Sequence, residues 1–388
     1  MKPIYLDYNA TTPLDRAVEE ATLPYLKSGL GGRFGNPSSS HQYGRQAHAA
    51  IDAAREQVAG LLGCTSDEIV FTGCGSEADN LAIKGVAEAY RGKGNHIITS
   101  QIEHPAVLNT CRYLERHGCQ VTYLPVDEYG LVDPAAVEGA ITERTVLISI
   151  MHANNEVGTV EPVAAIGAIA HRRGVLFHTD AAQSVGKIPT KVDDLGVDLL
   201  TVAGHKLYAP KGVGALYVRA GTKLEPLIHG AGHEGGRRAG TENVPHIVAL
   251  GKACEIAGKT TAGYVPRLRE LRDRLHRLLA EGVDGLKLNG HPTERLPNTL
   301  NVSFPGADGE ALLARTPQVA ASTGSACHAG RTEPSAVLLA MGIQREAALG
   351  AVRFSLGKFT TAVDVDQAAA ALIRGVKELW SEAKTSRG

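Results

Sequence analysis

Short apolar runs alternate with helical patterns over residues 15–257, and this alternation restricts the fold more than any other feature. Such an order is typical of a mainly parallel β-sheet covered by helices on both faces. It predicts a strand over residues 68–72 with a helix over 77–90, then a strand over 96–100 with a helix from Pro105. Further strands are predicted over residues 145–151, 175–178, 199–202 and 213–218, the last two as a hairpin.

The pattern changes after Cys254. A charged amphipathic helix is predicted over residues 266–280, followed by a strand over 299–304, short helices, a strand over 351–356 and a helix over 363–384. A chain of 388 residues exceeds the size of about 250–300 at which single cores stop growing. We therefore predict two domains: a large α/β domain of residues 15–257, and a smaller α+β domain of residues 1–14 and 258–388.

Charge and composition exclude several classes of partner. The 40 lysines and arginines balance 41 aspartates and glutamates, so no direct contact with nucleic acid is expected. No apolar run approaches the roughly 20 residues of a membrane span, and the N-terminus does not resemble a signal peptide. We expect a cytoplasmic protein without membrane contact. Its six cysteines form no CxxC pair, so neither a disulfide framework nor a metal site is predicted.

Polar residues gather where three of the predicted strands end. The turn over residues 72–77 opens a helix, so its free backbone N–H groups could bind a phosphate. Asp180 follows a second strand, and Lys206 lies in a glycine-bordered loop after a third. Singly these are ordinary features: a turn, a helix cap and a surface charge. Together, at the edge of a sheet where ligands bind, they indicate a pyridoxal phosphate (PLP) site, which needs all three.

Several longer motifs run in order along the chain. They are YLDYNATT (5–12), GNPSS (35–39), EHPAV (103–107), HANNEVG (152–158), GHK (204–206), RAGTEN (238–243), TGSAC (323–327) and RFSLG (353–357). Nearly end to end, the chain resembles the cysteine desulfurases of the NifS/IscS type. The resemblance implies the aspartate-aminotransferase (fold type I) fold, a PLP cofactor, a homodimer, and conversion of L-cysteine to L-alanine with transfer of the sulfur.

The resemblance also implies roles for residues around the cofactor ring. Lys206 would hold PLP through a Schiff base and then move protons, and Asp180 would pair with the pyridine nitrogen. His104 would stack on the ring and act as an acid or base. Gln183 would bond the phenolic oxygen of the cofactor.

Phosphate and substrate contacts are implied in the same way. The phosphate would be bound by Gly75, Ser76 and His205, with Thr241 reaching across from a second subunit. Asn155 would lie at the cofactor and, with Arg353, hold the substrate carboxylate, for which a planar guanidinium is well matched. Taken singly, His104, Asn155 and Arg353 could equally be a helix start, a turn former and a surface charge.

Two positions depart from the family pattern. Ala203 stands where relatives usually carry a serine before Gly-His-Lys, so one hydroxyl contact to the phosphate is absent. The phosphate turn contains Gly-Cys-Gly-Ser where Gly-Ala-Thr is more usual. We therefore expect weaker cofactor binding. Cys74, in this turn, is the only rival thiol expected near the cofactor.

Cys327 is the predicted sulfur acceptor. It lies among small residues (322–329) before Pro334, a composition typical of an exposed, movable loop. A thiolate is strongly nucleophilic near neutral pH, so the loop could take sulfur as a persulfide and pass it to an acceptor protein. The acceptor could belong to iron–sulfur assembly, tRNA thiolation or DNA phosphorothioation, and the whole chain resembles phosphorothioation desulfurases most. The alternatives are a selenocysteine lyase, an aminotransferase and a non-catalytic scaffold.

Overall fold

The computed structural model describes residues 3–324, 326–328 and 331–385. For residues 326–328, 331, 332 and 384 it describes the backbone alone. Its strands are β1 (Ile4–Tyr5), β2 (Ile69–Thr72), β3 (His96–Ser100), β4 (Gln120–Leu124), β5 (Thr145–Ser149), β6 (Leu176–Asp180), β7 (Leu199–Ala203), β8 (Gly214–Val218), β9 (Lys287–Asn289), β10 (Thr299–Ser303), β11 (Val319–Ala320), β12 (Ala326–His328), β13 (Arg331–Glu333) and β14 (Ala351–Ser355). Its α-helices are α1 (Arg16–Leu26), α2 (Gln42–Leu62), α3 (Gly75–Ala89), α4 (Pro105–Glu115), α5 (Pro134–Ala140), α6 (Val163–Arg173), α7 (Val192–Leu195), α8 (Val244–Gly282), α9 (Gly309–Arg315), α10 (Ala336–Ala340), α11 (Arg345–Leu349) and α12 (Ala362–Thr385).

A seven-stranded sheet forms the centre of the first two-thirds of the chain. Its order is β2-β8-β7-β6-β5-β3-β4. Six of the strands run in one direction, and β8 runs in the opposite direction. The mainly parallel sheet and the β7–β8 hairpin were both predicted from the sequence. Most of its strands are buried along their whole length, which explains why they stand out as apolar runs. The exception is the edge strand β4, which is partly exposed and which the sequence analysis missed.

A second, antiparallel sheet of order β14-β10-β9 follows in the last third of the chain. The N-terminal segment contacts this region, since β1 pairs with β11 and Asp7 forms a bridge with Ser355. The predicted strands at 299–304 and 351–356 correspond to β10 and β14, and the predicted last helix to α12.

The helix predicted over residues 266–280 is longer than expected. It is the C-terminal half of α8, which continues from Val244 through Pro266 to Gly282. A proline inside a helix removes one hydrogen bond and crowds the preceding turn. Here the helix continues because both of its halves are packed, the first against α1 and α2 and the second against α12.

The buried apolar residues change cluster along α8. Those up to Ala257 belong to the core beneath the seven-stranded sheet, and those from Leu268 onward pack with β10, β14 and α12. The division into residues 15–257 and the remainder stays a prediction, and this change of cluster supports it. In the described part of the chain no helix combines the length and apolar character needed to cross a membrane.

Candidate active site

The carboxyl ends of four neighbouring strands carry the predicted site residues. Asp180 is the last residue of β6, and Lys206 comes three residues after the end of β7. His104 follows β3, and Asn155 follows β5. Parallel strands end at one edge of a sheet, so the order of the motifs along the chain becomes proximity in space.

Lys206 lies in the middle of this group. Its Nζ donates to the carbonyl oxygens of Asn9 and Ala10, the latter at 2.7 Å. Burial lowers the pKa of Lys206 to about 8, and the positive charge of Arg353 acts in the same direction. An amine with this pKa exchanges protons near neutral pH, as an acid–base lysine must.

Asp180 is buried, and its burial raises the pKa of the carboxyl. Oδ1 accepts a hydrogen bond from the backbone N–H of Ala182 at 2.9 Å, which lowers that pKa, as do the charges of His104 and Lys206. A carboxylate held out of water beside cationic groups is suited to pairing with a protonated ring nitrogen.

His104 occupies the start of α4, where its Nδ1 accepts a hydrogen bond from the N–H of Ala106 at 3.1 Å. The side chain is therefore a helix cap, as the simpler interpretation had it, and it also lies within electrostatic range of Asp180 and Lys206. Although the residue is exposed, desolvation by neighbouring atoms lowers the pKa of the ring. A neutral imidazole at this place has an apolar face available for stacking.

The predicted phosphate turn opens α3. Gly75 is its first residue, and a Cβ built on Gly75 would lie 3.1 Å from the Cβ of Ala203. The turn thus lies against the end of β7. Cys74 caps the helix through Sγ, which accepts from the N–H of Glu77 at 3.4 Å, and Ser76 is exposed. Unpaired N–H groups and the helix dipole at this end attract a phosphate.

His205 is held beside this edge by the N-terminal segment. Its ring Nδ1 lies 3.2 Å from Thr11 Oγ1, and its carbonyl accepts hydrogen bonds from the N–H and the hydroxyl of Thr12. Burial lowers the pKa of His205 to about 4, so the ring is neutral at physiological pH. A neutral imidazole can donate one N–H to a phosphate.

A hydrogen bond joins Arg353, on β14, to Asn155, in the segment after β5. Arg353 Nη1 donates to the carbonyl of Asn155 at 3.0 Å, and Nη2 donates to Asp7 Oδ1 at 2.8 Å. The buried Nε has no hydrogen-bond partner among the described residues. The edge of the guanidinium group that carries Nε and Nη2 is therefore the part suited to a bidentate contact with a carboxylate.

Asn9 connects these groups, and the sequence analysis gave it no role. Its carbonyl accepts from both Gln183 Nε2, at 2.9 Å, and Lys206. Its side chain donates to Thr299 Oγ1 at 2.8 Å and accepts from Asn298 at 3.1 Å. Its position inside the YLDYNATT motif was the sequence feature that could have indicated a role. The contact with Lys206 could not be predicted, because nearly 200 residues separate the two.

Two buried acids beneath the site were also missed. Glu103 accepts from Ser100 at 2.7 Å and from the N–H of Met151 at 3.0 Å, and burial raises its pKa to about 8. Asp79, on α3, lies 3.7 Å from His178 Nε2, and burial raises its pKa. The negative charge of Asp180 also raises the pKa of both acids, so burial and this repulsion together favour their protonated forms.

For two of the predicted residues, the described structure gives no contact with this cluster. Thr241 is exposed, with no hydrogen bond to the cluster among the described residues. Cys327 lies on β12, opposite Thr332 of β13, and its side chain lies outside the described residues. Cys74 is exposed in the phosphate turn, and its nearness to the cofactor stays a prediction. Of the other described cysteines, Cys111 and Cys254 are buried.

This combination of fold and site defines a class. A parallel sheet carries at one edge a lysine with a lowered pKa, a buried acid and a glycine-containing helix start, the set that PLP requires of a fold type I enzyme. The residues present fit the cofactor. The chain belongs to the class-V aminotransferase family, whose model matches residues 4–368.

Individual relatives narrow the class. A cysteine desulfurase IscS of Dictyoglomus turgidum is 50% identical over 380 residues, 97% of this chain and 95% of the relative. The solved structure of a NifS-like protein superposes with a TM-score of 0.89 at 39% identity, covering 98% and 99% of the two chains. DndA from Streptomyces lividans gives a TM-score of 0.77 at 36% identity, covering 90% and 99%. The protein is thus a PLP-dependent cysteine desulfurase.

Proposed function

We propose that Lys206 holds the cofactor and that Cys327 takes the sulfur of L-cysteine, leaving L-alanine. The observation that carries the first assignment is the partly buried amine of Lys206, with its pKa of about 8, which interacts electrostatically with the buried carboxyl of Asp180. Bound PLP supplies an electron sink that weakens the bonds of the substrate around its α-carbon.

Around the cofactor, each residue has a distinct task. Asp180 would hold a proton on the ring nitrogen of bound PLP, and His104 would stack on the ring. Gln183 donates to the phenolic oxygen. The amine of Lys206 accepts and returns protons at the substrate, which its lowered pKa permits near neutral pH. The phosphate contacts come from Gly75, Ser76 and His205.

Substrate binding falls to Arg353 and Asn155. The ion pair with Asp7 and the hydrogen bond to the Asn155 carbonyl fix the orientation of the guanidinium group. Among the described residues its Nε has no hydrogen-bond partner and can donate to the substrate. A carboxylate placed against Nε and Nη2 would fix the amino acid beside the middle of β14, within electrostatic range of Lys206.

The sulfur step uses the thiolate of Cys327. It bonds to the substrate sulfur as the carbon–sulfur bond breaks, and the carbon keeps the electron pair and is protonated. The products are L-alanine and a persulfide on the protein, so no external oxidant is needed. A second thiol, on an acceptor protein, then takes the outer sulfur.

The active unit is a homodimer. Thr241 is exposed and, among the residues that the structure describes, makes no hydrogen bond to the site of its own chain. Its hydroxyl is therefore available to complete the phosphate site of a second subunit. Sedimentation showing an active, PLP-loaded monomer would contradict this arrangement.

The acceptor is a protein of iron–sulfur assembly. The 50% identity to a desulfurase named IscS, against 36% to DndA, supports this choice. The likeness to DndA supports DNA phosphorothioation, which the sequence favoured, as the second candidate. Capture of the acceptor by the persulfidated protein, in extracts of its native cell, separates the two.

Trapping the cofactor tests the assignment of Lys206. Borohydride reduction followed by peptide mapping should find PLP attached to Lys206, and Lys206→Ala should lose both the covalent link and alanine formation. PLP found on another lysine would move the assignment. Production of alanine together with sulfide, rather than a keto acid, separates a desulfurase from an aminotransferase.

A further inference from the structure

Lys187 is a buried amine that none of the steps above uses. It is 7% exposed, and its Nζ donates to Gln183 Oε1 at 3.0 Å. Burial, together with the positive charges of Lys206 and Arg353, lowers its pKa to about 7. An amine is costly to bury unless it makes a specific hydrogen bond, and here that bond goes to a residue of the cofactor site.

The contacts of Gln183 determine the orientation of its amide. The amine of Lys187 donates to Oε1, which is an acceptor. At the other end Nε2 donates to the carbonyl of Asn9 at 2.9 Å, and a carbonyl can only accept. The two partners agree, so the choice between the two amide orientations, usually ambiguous, is settled here.

Asn9 is itself held firmly, so the Nε2 end of Gln183 has a rigid reference. The N–H of Asn9 donates to Ser355 Oγ at 2.8 Å, and its side chain bonds Thr299 and Asn298. The carbonyl of Asn9 also receives the amine of Lys206. A continuous series of hydrogen bonds therefore runs from Lys187 through Gln183 and Asn9 to Lys206.

We propose that Lys187 is a positioning residue that holds the amide of Gln183 with its second N–H directed at the phenolic oxygen of PLP. This inference rests on the proposed role of Gln183. Without Lys187, Oε1 loses its donor and Asn9 alone holds the amide, so the second N–H of Gln183 is less firmly directed at the cofactor oxygen.

The surroundings of Lys187 allow a clean substitution. It lines a mainly apolar cavity of about 290 Å³, whose other titratable groups are Asp15, Lys206, Tyr208, Tyr264 and Lys358. Methionine is close to lysine in shape without its amine and suits such walls, so Lys187→Met removes the donor without overfilling the space.

The visible absorption of the PLP-loaded enzyme, titrated with pH, gives a readout independent of turnover. A donor to the phenolic oxygen stabilises its negative charge and so lowers the affinity of the chromophore for its titrating proton. Lys187→Met and Gln183→Leu should each raise the midpoint by about half to one pH unit, the size expected for one hydrogen bond. Lys191→Met removes an exposed lysine that bonds the Gly60 carbonyl, and should leave the midpoint unchanged.

The double variant separates positioning from charge. If Lys187 acts through Gln183, Lys187→Met adds nothing in the Gln183→Leu background. A full additional shift there would mean that only the charge of Lys187 acts, and would overturn the proposal. Lys187→Gln, which keeps a donor without the charge, serves as a second variant and should shift the midpoint less than Lys187→Met.

Two further outcomes distinguish a failure of the inference about Lys187 from a failure of the proposed role of Gln183. A raised midpoint in Gln183→Leu with an unchanged one in Lys187→Met would overturn the inference about Lys187 alone. An unchanged midpoint in Gln183→Leu would show that Gln183 does not contact the cofactor oxygen, and both proposals about this contact would fall together.

Discussion

The two residues assigned to the chemistry belong to regions built in different ways. Lys206 and Asp180 follow buried strands in the middle of the seven-stranded sheet and are tied to their neighbours by hydrogen bonds. Cys327 lies on β12, a three-residue strand whose partner in the described structure is β13, in a sheet separate from the two larger ones. The group that must keep a fixed geometry is thus part of the sheet. The group that must give sulfur away is attached through a short hairpin.

One partly buried carboxylate lies between the two regions. Glu156, from the HANNEVG motif, accepts a hydrogen bond from Ser335, and a Cβ on Gly324 would lie 2.6 Å from its Oε2. These two residues lie on either side of the β12–β13 hairpin. Burial raises the pKa of Glu156, while Ser335 and Arg353 lower it. The carboxyl thus bonds the base of the hairpin and interacts electrostatically with Arg353, the proposed substrate-binding residue.

The largest expected effect comes from the hairpin. Cys327→Ser should reduce alanine and sulfide production on the order of a thousandfold or more, because a serine hydroxyl is barely ionised at neutral pH. Its visible spectrum, and the change of that spectrum on adding cysteine, should persist because they depend on the sheet region. Cys74→Ser is the matched control and should keep most activity. Full activity in Cys327→Ser with a dead Cys74→Ser would assign the nucleophile to the phosphate turn.

A smaller effect is expected where the N-terminal segment supports the substrate arginine. Asp7→Asn removes the charge that holds Arg353, so the KM for cysteine should rise on the order of tenfold, the value of one charge-assisted hydrogen bond. The kcat should change less, because the sulfur step does not involve this pair. The control is Asp52→Asn, in an exposed pair with His48. A loss confined to kcat would mean that Asp7 has another role.

The sheet region should also show a defined pH dependence. PLP attaches to a neutral amine, so its rate of attachment to the apoenzyme should rise about tenfold per pH unit and level off above pH 8, where Lys206 is deprotonated. Arg353→Leu removes a charge that lowers this pKa, so the levelling-off should move to higher pH. Stopped-flow measurements of PLP attachment check both. A profile unchanged in Arg353→Leu would contradict the electrostatic coupling.

The smallest effect concerns Ala203. Its Cβ lies beside Gly75 at the start of α3, so Ala203→Ser places a hydroxyl at the phosphate turn. One added hydrogen bond to a phosphate should tighten PLP binding by about tenfold, for a net value of roughly 1.5 kcal/mol. Equilibrium dialysis of the apoenzyme with PLP measures it. An unchanged dissociation constant would mean that the phosphate already has its full set of donors.

The sequence predicted the sheet and the cluster at its edge for one reason. Buried parallel strands are apolar along their whole length, and their carboxyl ends meet, so Asp180 and Lys206 could be placed together without coordinates. The edge strand β4 was missed because its exposed positions interrupt the apolar run. The contacts of Asn9 and Lys187 were missed because they depend on residues distant in sequence or on amide orientation, which leave no local pattern.

The most direct test of the two-region account is to locate the sulfur after turnover. The enzyme is exposed briefly to L-cysteine without an acceptor, its free thiols are blocked, and its peptides are mapped by mass spectrometry. The account predicts one added sulfur on the peptide that contains Cys327, and none on Cys74 or on the buried Cys111 and Cys254. An added sulfur on Cys74 with an unmodified Cys327 would contradict it.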